Sequence, residues 1–249
     1  MNEFMRRYIV FVLLFAGGGL SLAQTTMPTT PPGTQPVTQQ VSRLAPDDFD
    51  FKQLLGVPPA PGSAGEKAEL DQLLKLQKER TPEEVRRCKD EVEVQPFAFA
   101  VILGKWFNAK DLPQTEKLLK MATKATKPIL GAAKITFNRE RPFKVDTDIH
   151  PCVEDEKSPS YPSGHATRGI VWATILAELM PQDKQDLMAY GREIGDDRAL
   201  AGMHFPSDVI AGQRLGREIA QRLLADPDFQ KQLAKAKAEC AAHEPVEAK

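Results

Sequence analysis

Residues 162–179 read PSGHATRGIVWATILAEL, and this stretch decides the fold. From Ile170 to Leu179 it is almost wholly apolar, which suits a helix spanning about 164–180. Ser163 stands where a helix N-cap is expected, and Gly164 lets another group approach the backbone closely. Upstream, Leu70, Leu73, Leu74 and Gln77 keep a helical period, and Thr81-Pro82-Glu83-Glu84 starts a further helix by a capping box. Helical patterns also cover about 96–108, 113–134, 183–196, 206–225 and 227–241, while alternating β-branched runs with hairpin turns are nearly absent. The expectation is an all-α, single-domain helical bundle.

The 249 residues, 41% hydrophobic and 27% charged, can bury one substantial core beneath a soluble surface. A formal net charge of −1 creates no field that draws the whole molecule to nucleic acid or an anionic membrane, so any anion site must be local. Residues 1–23 have the layout of a secretory signal: Arg6 and Arg7, the apolar run Tyr8 to Ala16, then small residues ending Ser21-Leu22-Ala23. That run is too short to span a bilayer, so export to the periplasm or beyond is expected, with no stable membrane insertion after removal of the signal. Residues 24–43, rich in Gln, Thr and Pro, read as a disordered leader, 44–243 as the folded domain and 244–249 as a disordered tail. Cys88, Cys152 and Cys240 allow at most one internal bridge, and their spacing does not say which pair forms it. With no His-x-x-x-His pattern or carboxylate cluster, neither a metal nor another cofactor is expected.

Three islands carry the chemistry. Lys134 is followed, after six residues, by Arg141-Pro142; Pro162-Ser163-Gly164-His165 is the second; Arg198, five residues, His204, three residues and Asp208 form the third. A phosphoryl group in transfer spreads charge over its equatorial oxygens and wants fixed cations and N–H donors around it. Lys134, Arg141 and Arg198 supply the cations, and the helix start at Ser163 and Gly164 supplies N–H groups and a positive dipole end. Pro206 between His204 and Asp208 is acceptable only in a first turn, which puts His204 at a helix start and Asp208 in the turn that follows. A carboxylate on one ring nitrogen fixes the tautomer and leaves the other nitrogen free to attack.

In this order and spacing the islands resemble the signature of the type 2 phosphatidic acid phosphatase superfamily, which includes bacterial class A non-specific acid phosphatases and vanadium haloperoxidases. The motif resemblance spans residues 134–208, and Pro58 to Ser63 with Ser160-Tyr161 are more loosely similar to the class A enzymes. It implies that His204 becomes transiently phosphorylated, that Asp208 orients it and that His165 protonates the leaving alcohol. Lys134, Arg141, Ser163, Gly164 and Arg198 then bind the phosphate, with no metal needed. Phosphomonoester small molecules as substrates and a homodimer follow from the same resemblance. Membrane-embedded relatives acting on lipid phosphates or pyrophosphates, and the generally larger haloperoxidases, share the islands and stand as alternatives, as does a non-catalytic phosphate-binding protein. Family members usually carry a small hydroxyl residue before the arginine of the third island; here Asp197 either buttresses Arg198 or repels substrate. Since His165 must be protonated to donate while three cations depress its pKa, activity is expected to gain at low pH. Outside the islands, Arg139 and Lys144 read equally as added positive potential or as surface charges, and Trp106 and Trp172 read as core.

Overall fold

Along the described residues, 44–243, the computed structural model runs through α1 (Phe51–Leu55), α2 (Ala64–Glu79), α3 (Pro82–Asp90), α4 (Ala100–Leu103) and α5 (Pro113–Phe137). It continues through α6 (Pro142–Val145), α7 (Gly164–Leu179), α8 (Lys184–Leu200), α9 (Pro206–Ala225) and α10 (Pro227–His243). The expected signal, leader and tail lie outside the described residues. Among those described there is no strand, and no helix is long and apolar enough to cross a membrane.

A helix that is apolar on every side must be surrounded, and α7 buries thirteen of its sixteen residues. Glycines let its neighbours touch it backbone to backbone. A Cβ on Gly169 would fall 2.5 Å from the Gly191 carbonyl oxygen of α8, and one on Gly212 of α9 would fall 2.5 Å from that of Ser163. From the other side, the Trp172 indole N–H donates to Thr123 Oγ1 of α5 at 2.9 Å, so this tryptophan is core, as expected. The start of α5 has no side-chain cap of its own. Glu239 of α10 reaches across to accept the N–H groups of Gln114 and Thr115 at 2.9 and 2.8 Å, which satisfies two orphan donors and holds α10 against the bundle. The capping box at Thr81 forms as its residues dictate, with Glu84 N–H on Thr81 Oγ1 at 3.2 Å and Thr81 N–H on Glu84 Oε2 at 2.7 Å.

One expected helix, over 96–108, is not continuous. A 3-10 turn at Pro96–Phe99 gives way to the single turn of α4, and Gly104 at φ 89 ends it. Gln95 offers no side-chain cap, and the aromatic residues here are spent on the core, with Phe99 and Phe107 buried. Conversely, α5 and α8 run past their expected ends, which places Lys134 and Arg198 inside their last turns.

Candidate active site

Each island is positioned by a helix end. Asn138, left-handed at φ 44, closes α5 by donating its N–H to the Lys134 carbonyl at 2.9 Å, so the chain reverses directly after Lys134 and brings Arg139 and Arg141 back. Arg141 is extended (φ −80, ψ 150), the conformation favoured before proline. At the end of α8 the chain turns through Gly202 at φ 77, and the Arg198 carbonyl accepts the N–H groups of Met203 and His204 at 3.0 and 3.2 Å. The five-residue spacing between Arg198 and His204 is thus one closed helix end. Asp208 lies in the first turn of α9 and accepts the Phe205 N–H at 2.8 Å, as the proline in that turn foretold. Finally, Ser163 N–H donates to the Asp208 carbonyl at 2.9 Å, a main-chain link between the starts of α7 and α9.

These helix ends bring all eight expected residues into one buried cluster: Lys134, Arg141, Ser163, Gly164, His165, Arg198, His204 and Asp208. Ser163 Oγ and carbonyl take the N–H groups of Ala166 and Thr167, at 3.4 and 3.1 Å, so the N–H groups of Gly164 and His165 have no acceptor within the helix and are left for a ligand. Arg198 is 1% exposed, yet its Nε and Nη1 find no hydrogen-bond partner among the described residues. Buried guanidinium donors are costly to leave unsatisfied, so they mark a place for an anion. Lys134 Nζ donates to the Pro159 carbonyl, and burial followed by repulsion from Arg141 lowers its pKa to about 8.

The state of His204 follows from its neighbours. Arg141 Nη1 lies 3.1 Å from Nε2, and a guanidinium can only donate, so Nε2 is the unprotonated nitrogen. The proton sits on Nδ1, which lies 3.4 Å from Asp208 Oδ2 and 3.4 Å from Ser160 Oγ. Burial, then Arg141, Lys134 and Arg198, hold the His204 pKa well below its ordinary value. Neutral imidazole with its Nε2 lone pair facing the cations is the nucleophilic form. His165 is fixed the other way: its Nε2 lies 3.0 Å from the Val92 carbonyl, which can only accept. Burial, then Arg198 and Arg168, lower its pKa to about 3.

Three further residues belong to the cluster: Ser160, which the sequence marks only through a loose resemblance, and Arg139 and Glu156, which no sequence signal distinguishes from surface charges. Arg139 is not a surface charge. It is 8% exposed, its Nη1 donates to Asp208 Oδ1 at 2.7 Å and to Ser207 Oγ at 2.8 Å, and its Nη2 donates to Glu69 Oε2 at 2.8 Å. Its guanidinium carbon also lies 3.6 Å from the centre of the Phe205 ring. Ser160 donates its hydroxyl proton to Asp208 Oδ2. Burial raises the pKa of Asp208, and Arg139, Ser160 and the Phe205 N–H oppose that rise. The third residue, Glu156, lies against Arg141 and Arg198 at the solvent side. Asp197 neither buttresses Arg198 nor faces the pocket. It forms a two-pronged pair with Arg87 of α3, at 2.5 and 2.7 Å, because consecutive helical residues point about 100° apart. A separate cleft of about 910 Å³, between the Pro58–Gly62 loop, α2 and the end of α5, shares only Arg139 with this cluster.

The all-α fold thus converges buried cations, two histidines and a helix N-terminus on one point. Residues 118–228 match the model of the PAP2 superfamily. It is similar to the non-specific acid phosphatase of Salmonella typhimurium, 37% identical over 156 residues that make up 60% of this chain and 62% of that one. An acid phosphatase of Zymomonas mobilis is 36% identical over 157 residues, 59% of each chain. The chain thus spans about three-fifths of the length of these curated relatives. The crystal structure of a bacterial vanadium-dependent iodoperoxidase shares the fold, with a TM-score of 0.54 at 19% identity over 72% of this chain and 54% of that one.

Proposed function

We propose that this protein is an exported acid phosphatase that hydrolyses phosphate monoesters through a phosphohistidine on His204. The observation that carries the reading is Arg198, a buried guanidinium with two donor nitrogens unsatisfied beside an imidazole whose Nε2 lone pair is free of a proton. The phosphoryl group binds among Lys134, Arg141, Arg198, the Ser163 hydroxyl and the N–H groups of Gly164 and His165, and Arg141 Nη1 turns from Nε2 onto a phosphoryl oxygen. Nε2 attacks phosphorus as the bond to the leaving oxygen breaks, and protonated His165 delivers its proton to that oxygen. The N-phosphoryl imidazolium is stabilised by Asp208, whose charged form Arg139 favours. Water then attacks phosphorus, its proton passes to His165, and the P–N electrons return to Nε2. Charge neutralisation comes from the chain's own cations, so no metal takes part.

The test is hydrolysis of p-nitrophenyl phosphate in excess chelator, with His204→Ala beside the parent. The parent should stay active, the variant should lose at least about 10³-fold in kcat, and alkaline denaturation during turnover should trap phosphate on the parent alone. Equal activity in the two proteins, or loss of parent activity in chelator, overturns the mechanism.

A further inference from the structure

The segment between α6 and α7 places one acidic side chain where the proposed substrate belongs. Glu156 Oε2 accepts from Arg141 Nη2 at 2.5 Å, and its Oε1 lies 3.6 Å from Arg198 Nη2. Ser158, two residues along, supports the same arrangement: its Oγ lies 3.1 Å from Arg141 Nη2 and 3.5 Å from Glu156 Oε2. The two guanidiniums are 1% and 2% exposed at the side chain, whereas Glu156 is 38% exposed. The carboxylate therefore sits on the solvent side of the buried cations, across the way in. Burial disfavours its charge, but the guanidiniums of Arg141 and Arg198 outweigh that, and its pKa is lowered to about 2.

We propose that Glu156 is a resident substitute for the phosphoryl group, a specificity-determining side chain that every substrate must displace; the proposal rests on the reading of this cluster as a phosphate pocket. Two carboxylate oxygens on two arginines imitate two phosphoryl oxygens, and neither guanidinium can serve both anions fully. A ligand gains by entering only if it offers the pocket more than the carboxylate does. A phosphoryl group, with three oxygens for Lys134, Arg198 and the α7 N-terminus, does so. Carboxylates, with only two oxygens, do not. The same competition drives product release, because Glu156 returns as inorganic phosphate leaves.

The consequence is a reduced apparent affinity for phosphate in the parent, since the competent pocket is only part of the population. Isothermal titration of the full chain with inorganic phosphate near neutral pH should show binding about tenfold tighter in Glu156→Gln than in the parent, with Glu154→Gln unchanged. In turnover, Glu156→Gln should lower KM and the inhibition constant of phosphate together. Glu156→Asp, which keeps the charge on a shorter stem, should fall between parent and Gln. Unchanged or weaker phosphate binding in a folded Glu156→Gln overturns the proposal, since a group that merely orients Arg141 predicts weakening. If instead Glu156→Gln gains phosphate binding while neither protein hydrolyses any ester, the displacement holds and the phosphatase reading is what fails.

Discussion

Replacing Arg139 with methionine keeps an apolar stem against Phe205 but removes the donors to Asp208, Ser207 and Glu69, made at 2.7, 2.8 and 2.8 Å. Side-chain exposure is 6% for Arg139 and 0% for Asp208, so solvent screens little of this pair. Removing one partner of such a buried ion pair costs about 3–5 kcal/mol, because the remaining charge is left uncompensated. At roughly 2–4 °C per kcal/mol for a domain of this size, the melting temperature should fall by about 10 °C. Burial already pushes Asp208 up, and Arg139 is the first of the groups that oppose this, so the variant's Asp208 titrates higher still. A carboxyl whose folded pKa exceeds its unfolded value of about 3.9 gives stability at low pH that is lost as pH rises, so the gap between variant and parent should widen as pH rises from the acid side to neutrality. Protonated Asp208 no longer stabilises the His204 imidazolium, and kcat should fall about ten- to hundredfold, the effect usual for partners one layer behind a reacting group. Melts followed by circular dichroism across that pH range, with p-nitrophenyl phosphate kinetics alongside, measure both effects, and Arg139→Lys should recover part of each. A variant that melts within about 2 °C of the parent at every pH and keeps its kcat would refute the linkage between Arg139, Asp208 and His204.

With the His165 pKa at about 3, only a small protonated fraction exists in the unliganded pocket at neutral pH, so log kcat/KM should climb as pH falls from about 7 to about 4; a flat profile removes His165 as the proton donor. A Cβ at Gly212 meets the Ser163 carbonyl oxygen at 2.5 Å and Ala166 Cβ at 2.9 Å, so Gly212→Ala should cost about 1–3 kcal/mol in urea unfolding and reduce kcat by pushing α9 off α7. Gly131→Ala on α5, with nothing within 4 Å, should instead stabilise by about 0.5–1 kcal/mol, and the same sign in both variants contradicts the packing argument. Cys88 and Cys152 pack in one small cluster with Ala201 and Met203, so oxidation by glutathione disulfide should join them; a non-reduced digest that yields a bridge through Cys240 counts against this pairing.

Local rules made the helix ends legible: Thr81 with Glu84 caps α3, and Pro206 fixed the phase of His204 and Asp208 at the start of α9. Spacing alone was enough to gather the three islands, because each counts residues across helix termini: the end of α5, the start of α7, and the end of α8 with the start of α9. Arg139 escaped because its partners, Glu69 and Asp208, are about seventy positions away on either side, and no local pattern tells a charge that will be buried from one that will be solvated. Glu156 escaped for a similar reason, sitting in a run of acidic and lysine residues that reads as solvated loop. The aromatic stretch 96–108 misled by composition: its apolar residues serve the core from a 3-10 turn and a single helical turn, and periodicity does not register Gly104 as a stop.

The bond from Ser163 N–H to the Asp208 carbonyl, together with the contact of Gly212 on Ser163, sets the separation of the two histidines through main-chain atoms. Side-chain replacements elsewhere on the surface therefore have little leverage over that distance, whereas the carboxylate that meets incoming anions is carried by a non-helical segment outside this frame. Directed evolution of this chain should accordingly find altered substrate preference in residues 146–160, with the reaction itself left intact.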